Sequence, residues 1–309
     1  MMRLIKMELY RLVYARSTRV MIVVAAGVAV LMSFVLSVDV DEMEEVLRAQ
    51  GQETGIESQV PAESFADGFA DGWASEGEES AEEDFTWGIT VTVDESQIGS
   101  GLELGDIVMS ELGGCLLVIL VAIFVPLFVN AEQKRGYIKN IAGQIPRREM
   151  LALSKLPAIA VQVFFLFVIY TIASLVSGAI FFRGRLALEF TGALFRALCM
   201  QYVLHIAWGC LIALLTIVTR STAFAMTTGI LLASGIVEML MVYLNRLIHG
   251  LFPSAEQFDL MHYTLNYAVE AMTAQSTMRQ IGGLLTLALV YIAASAVIVG
   301  IVYRKRDVR

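Results

Sequence analysis

Three ionisable side chains, Glu111, His205 and Glu238, lie inside long apolar stretches of this chain. A charge held in hydrocarbon is costly, so such groups carry protons, pair with one another or face a polar cavity. A carboxylate beside an imidazole keeps both charges tolerable. The expectation is a Glu238–His205 pair in a shared polar chamber, with Arg196 opening one stretch on the same side. Two bland alternatives stand beside it. Glu111 is only five residues into its stretch and can reach the water interface, and His205 can be a neutral packing residue.

Other chemistries find no matching set of residues. There is no G-x-S-x-G and no H-E-x-x-H, and His205, His249 and His262 are dispersed, so neither an acyl nucleophile nor a zinc site is expected. None of the five lysines (Lys6, Lys134, Lys139, Lys155, Lys305) follows a glycine, which rules out a Walker A phosphate cradle. No catalytic residue, metal or cofactor is expected in this chain. Cys115, Cys199 and Cys210 lie within apolar stretches and read as small buried residues.

Six apolar blocks must position these groups: 20–38, 107–129, 157–182, 197–218, 221–244 and 280–303. Each is long enough, at ~1.5 Å per residue, to cross a hydrocarbon layer of ~30 Å. The hydrophobic fraction of 57% and mean hydropathy of +0.68 agree. Threading the blocks alternately with the N-terminus inside puts sixteen of the 22 basic residues on the cytoplasmic side. They are five between Arg3 and Arg19, six between Lys134 and Lys155, Arg220, and four between Arg304 and Arg309. That bias predicts cytoplasmic N- and C-termini. The fold class read here is an all-α polytopic membrane protein with six transmembrane helices. Glu111, His205 and Glu238 then fall in the outer half of the bilayer.

The loops add detail. Residues 1–19 have an apolar face of Ile5, Leu9, Leu12 and Val13 with Arg3, Lys6, Glu8 and Arg11 around it, which predicts a cytoplasmic interfacial helix near anionic lipid. Segment 39–106 holds twenty of the 30 carboxylates and explains the net charge of −8; the rest of the chain is net positive. It reads as an acidic extracellular loop or small domain without an EF-hand motif. Within it Phe85, Trp87, Ile89, Val91 and Val93 alternate with polar or small residues, predicting one half-buried strand. Pro126 predicts a bend near the inner end of the second block. The outer connection 245–279 contains two short apolar runs, Leu247–Phe252 and Phe258–Tyr267, that fit re-entrant or interfacial helices. Small-residue patches at 25–27, 229–235 and 293–296 allow close helix packing, within the chain or in a dimer.

Cytoplasmic loop 130–156 carries Glu132, Gly136, Pro146, Arg147, Ser154 and Lys155. In these residues the chain resembles the ABC-2 family of ABC-transporter permeases, which have a Glu-x-x-x-Gly element, a Pro–Arg type turn and a Ser-Lys entry into the third span. The interfacial N-terminal helix and the short helices before the last span are similar too; the acidic insertion between helices 1 and 2 departs from the pattern. The resemblance implies an ABC-2, or type V, exporter-like fold in the cell membrane, plasma or bacterial inner. The chain would form a homodimer or pair with a second permease, docked on cytoplasmic ABC ATPase subunits that hold ATP and Mg. Glu132, Gly136, Arg147, Arg148 and Lys155 would couple the ATPase to export of a substrate such as an antimicrobial peptide, drug or cation. Ordinary topogenic charge is the plain alternative for the arginines and Glu132. Lipid is an expected partner and nucleic acid is not. A secondary transporter or channel, and a mechanotransmitting sensor that moves nothing, remain open; an intramembrane protease ranks last.

Overall fold

The computed structural model describes residues 2–50, 104–134, 153–182, 191–251 and 259–305. These form ten α-helices and one 3-10 turn, with no strand among the described residues. The alternating segment 85–94, loop residues Gly136, Arg147 and Arg148, and most of the acidic segment lie outside them.

Helix α1 (Met2–Tyr14) ends at Ala15, where the Thr18 hydroxyl donates to the Leu12 carbonyl and the chain turns into α2 (Arg16–Gln50). The buried face of α1 differs from the expected one. Leu12 and Glu8 are buried, whereas Val13 joins Tyr10 and Tyr14 on the exposed side. Packing against a neighbouring helix sets this face. Beyond its apolar part α2 runs through residues 39–50 into the segment expected to be a loop. Glu, Met, Leu, Arg, Ala and Gln there are all good helix formers.

The second block is two helices, α3 (Leu104–Gly113) and α4 (Cys115–Lys134), bent by 48°. The break is at Gly114, and Pro126 sits buried within an uninterrupted α4. Surrounding helices can satisfy what a proline frees in a membrane helix, whereas paired glycines weaken the helix and admit close neighbours. Helices α5 (Lys155–Phe181) and α6 (Gly192–Thr219) follow. Thr191 caps α6 by accepting from Leu194 N–H, and Arg220 ends it in the left-handed region at φ 55°. Ser221 caps α7 (Thr222–Ala233) in the same way, so a two-residue hinge reverses the chain.

The fifth block is also broken: α7 and α8 (Ile236–Leu251) are bent by 58° about Ser234–Gly235. Gly235 has φ +84°, a conformation side chains resist. The apolar run expected as a separate element from Leu247 is the end of α8 as far as Leu251, because the break falls earlier than the sequence pattern suggested. A 3-10 turn (Met261–Tyr263), short α9 (Leu265–Glu270) and α10 (Met278–Lys305) complete the chain.

Among the described residues four single helices are long and apolar enough to cross a membrane, and the number rises to six where each bent pair is one span. α2 lies along α5, and α4 packs against α6 and α7, with α10 on the far side of α6. Two apolar clusters fill the interior: one centred on α4, α5 and α6 and joined by residues of α1, α3, α7, α9 and α10, and one of α2, α3, α4 and α5. The outer surface is apolar as well, with Val23, Phe34, Ile172, Val176, Val290 and Val297 exposed. Only 17% of the apolar window of α10 is buried by protein. A soluble monomer does not expose such a surface. The protein is membrane-embedded.

Candidate functional site

The polar groups gather around the two helix breaks. Glu111 lies on α3 one turn before the Gly113–Gly114 break and is 1% exposed. Ser33 of α2 donates to its Oε1 at 2.7 Å, and Ser174 of α5 donates to Oε2. Ser177, one turn beyond Ser174, reaches Ser33 Oγ at 2.7 Å. Glu111 therefore joins three helices instead of reaching water. Among the described residues no cation pairs with it. Ser33 Oγ both gives and takes a hydrogen bond, so it links Glu111 on to Ser177. Tyr170 is buried within electrostatic reach of Glu111, and its hydroxyl has no partner.

A second set surrounds the other break. Asn266 of α9 donates through Nδ2 to Leu232 O at the end of α7 (2.8 Å) and to Glu238 Oε2 in the first turn of α8 (3.0 Å). One amide thus fixes both sides of the Gly235 hinge. α9 is held in turn by Gln201 of α6, which donates to Val269 O at 2.7 Å and more weakly to Met272 O at 3.4 Å. A Cβ on Gly113 would lie 3.8 Å from Glu270 Cα, so α9 seats against the first break as well. Glu270 is exposed at the rim; crowding by protein and the nearby Glu238 charge push its carboxyl above the ordinary range. Cys115, at the start of α4, is within electrostatic reach of both Glu238 and Glu270.

The expected Glu238–His205 pair is not formed. His205 is buried, its Nδ1 lies 2.7 Å from Gln201 O, and its ring stands edge-on to Phe167 at 5.7 Å. A carbonyl only accepts, so Nδ1 carries the proton and Nε2 is left as an acceptor with no partner. The imidazole faces α5 whereas Glu238 faces α9, and the two belong to separate sets. Arg196 is exposed.

At the opposite end, Arg11 of α1 donates to Phe128 O (3.2 Å), lies 4.5 Å from the Phe128 ring centroid and pairs with buried Glu8 at 3.1 Å. Lys155 is fully buried, and its Nζ reaches Val129 O at 3.4 Å. Asn130 donates to Thr222 Oγ1 at 3.0 Å, and Gln162 to Phe124 O at 3.1 Å. The start of α5 and α1 are thus both tied to one stretch of α4. Glu132 lies in the last turn of α4.

Sequence reasoning missed Ser33, Ser174, Ser177, Asn266 and Glu270. It also missed a knot in the connection after α8. There Asn245 Nδ2 donates to Asp259 Oδ1 (2.5 Å), Met261 N–H donates to the same oxygen (2.9 Å), and Leu260 N–H donates to Asn245 Oδ1 (3.0 Å). His262 Nδ1 is 2.8 Å from Asp259 Oδ2. Partial burial pushes the Asp259 carboxyl up, but Met261 N–H, Asn245 and His262 outweigh it and hold the carboxyl below its ordinary 3.8. A carboxyl depressed in the folded state stabilises it above the unfolded value, and the contribution is lost as pH falls through the lowered folded value. Amide exchange at Leu260 and Met261 is expected to stay protected at neutral pH and to lose protection, relative to its own pH trend, only below pH 3.8. Asp259→Asn should flatten that step at a cost under about 1 kcal/mol, since the groups are largely exposed.

No family model, curated protein or solved structure matches this chain. Fold and site together define a multi-pass membrane protein, helical throughout its described residues, with two discontinuous helices and a polar set at each break.

Proposed function

We propose that the chain is the membrane-spanning permease subunit of an ATP-driven ABC-2 type exporter, with six crossings and the α1 end facing the cytoplasm. The observation that carries this reading is the joining of α1, the end of α4 and the start of α5 by Arg11–Phe128 and Lys155–Val129. Such a joint suits a surface pushed from beneath. A force on loop 135–152 passes into α4 as a rigid rod, and the far end of α4 is the Gly114 break beside Glu111 and Glu270. The partner supplying that force is a cytoplasmic ATPase, because the chain lacks a Walker A loop. Substrate would leave at the α9 end, where the polar sets lie; peptides, drugs and cations are the classes this reading admits. A homodimer or a heterodimer with a second permease would complete the path.

The test is affinity purification of the full chain from its native membrane, followed by transport in vesicles loaded with ATP. An ATPase subunit is expected to co-purify. Glu132→Ala and Arg147→Ala are expected to leave the fold intact while lowering ATP-dependent transport about tenfold or more, the scale of one lost charge-assisted contact. Transport that persists without ATP would instead favour a secondary transporter or channel, and ATPase coupling with no vectorial flux would favour a sensor.

A further inference from the structure

Glu111 is buried, and its carboxyl meets only hydroxyls. Ser33 Oγ gives its one proton to Oε1 at 2.7 Å and takes one from Ser177 at 2.7 Å. The second contact, between Oε2 and Ser174, can run in either direction once the acid carries its proton. A carboxylate offers about four lone-pair sites, and neutral hydroxyls fill only some of them. Nothing on the surrounding helices offsets a charge. Arg19 of α2 is exposed, about four turns from Ser33. Lys155 begins α5 and Lys134 ends α4, both at the opposite end of the bundle. On α6, Arg196 is exposed and the His205 imidazole is bonded to Gln201 O. Tyr170 of α5 and Cys115 of α4 bring no positive charge, and Glu270 of α9 is an exposed acid. A carboxyl taken out of water without a counter-charge neutralises itself by keeping its proton.

From this we infer that Glu111 is a proton-binding site: its Oε2–H donates to Ser174 Oγ while its carbonyl Oε1 accepts from Ser33. The neutral acid satisfies the cage. Ser174, now an acceptor, is free to donate to the carbonyl one turn before it, as Ser177 does with Ala173 O at 2.7 Å. A metal ion suits the site less well. Separations of 2.7 Å are those of direct hydrogen bonds and leave no centre among the oxygens for a larger cation. The position of the site gives the proton a consequence. Glu111 stands just before the Gly114 break, and its bonds tie α3 to α2 and α5. At 1% exposure the proton leaves only when α3 swings away from the serines, and an ionised Glu111 opposes their return. Proton loss and opening at the break are therefore one linked equilibrium. The inference uses the cage alone and no ATPase partner, so its failure would leave the permease reading untouched.

The experiment is difference infrared spectroscopy of the purified full chain in lipid nanodiscs across a pH titration, paired with amide exchange of residues 108–116. At neutral pH the parent is expected to show a protonated-carboxyl C=O band that shifts in heavy water and is missing from Glu111→Gln. That variant is the reference, because its amide keeps one acceptor and one donor in the cage. Ser33→Ala should move the band to higher wavenumber, since the carbonyl loses its donor, and Glu238→Gln should leave it in place. As pH rises the band should fade. Exchange at the break should then outpace that of Glu111→Gln at the same pH, by about tenfold per pH unit beyond the midpoint, the dependence for one released proton. A carboxylate band at neutral pH that disappears in Glu111→Gln would overturn the proposal. So would a C=O band that tracks added sodium instead of pH, which would give the site to a metal ion. Exchange at the break that stays equal in the parent and Glu111→Gln while the band fades would overturn the link to the break.

Discussion

Replacing Glu111 with leucine is expected to destabilise the bundle by about 1–3 kcal/mol, more than any other single polar change among the described residues. The substitution removes both acceptor oxygens from a site where Ser33, Ser174 and Ser177 are themselves buried. The hydroxyls lose their partner and keep their desolvation. Hydrogen bonds between membrane helices average about 0.6 kcal/mol and reach about 1.7, so two such bonds set the scale. Each serine can fall back on the carbonyl one turn before it, as Ser177 already does with Ala173 O at 2.7 Å, which keeps the loss from growing further. Glu111→Gln retains an acceptor and the shape, and should cost under about 1 kcal/mol. The decisive comparison adds Ser33→Ala and Ser174→Ala to the leucine variant. If unpaired hydroxyls are the cause, this triple variant recovers most of the lost stability, since an all-apolar site has nothing left to satisfy. Steric-trap or denaturant unfolding in a bilayer mimetic measures it. A leucine variant as stable as the parent would mean the cage holds nothing together. Transport by the recovered triple variant would then separate a structural carboxyl from a working one.

The spans were legible because long apolar runs have few other uses, and the breaks were not, because the relevant cue was weighed wrongly. Pro126 was read as a bend and α4 runs unbroken through it, while the plain Gly113–Gly114 pair interrupts the helix. Gly235 was read as part of a packing patch with Gly229, but only Gly229 packs; Gly235 turns the chain at φ +84°. Which side each helix buries was illegible for a physical reason. A helix apolar all round carries no stripe to say which residues face protein and which face lipid. Ser33 and Ser174 therefore looked no different from Ser37, whose hydroxyl stays on its own helix. For the same reason His205 and Glu238 were paired on depth alone, although one faces α5 and the other α9. Glu111 was singled out correctly as ionisable and intramembrane, but its partners were beyond reach. The loop residues proposed to couple to an ATPase, Gly136, Arg147 and Arg148, lie outside the described residues, so their role rests on the resemblance and on the joint of α1, α4 and α5.

Replacing Gly229 with leucine is the second large effect expected, a loss of about 1–3 kcal/mol from overpacking. A Cβ at this position would stand 2.8 Å from Ala122 Cβ on α4 and 2.8 Å from Ile212 Cδ1 on α6. The isoleucine tip can swing, but Ala122 Cβ has no rotamer and its Cα is only 3.6 Å away, so α7 must move off α4. Without a hydrophobic force to hold helices together in lipid, close van der Waals contact between small residues is the main attraction lost. Gly229→Ala should show a weaker form of the same loss. Gly27→Leu is the matched control, because nothing lies within 4 Å of a Cβ there and the site faces outward on α2. Thermal loss of the monodisperse species in detergent, followed by size exclusion, should rank Gly229→Leu well below Gly229→Ala, and Gly27→Leu level with the parent. If Gly229→Leu is unaffected while Gly27→Leu changes the oligomeric state alone, the close α4–α7 contact is not what fixes the fifth span. Displacing α7 also moves Leu232 O, the anchor of Asn266, so the same variant should speed amide exchange at the Gly235 hinge even in molecules that remain folded.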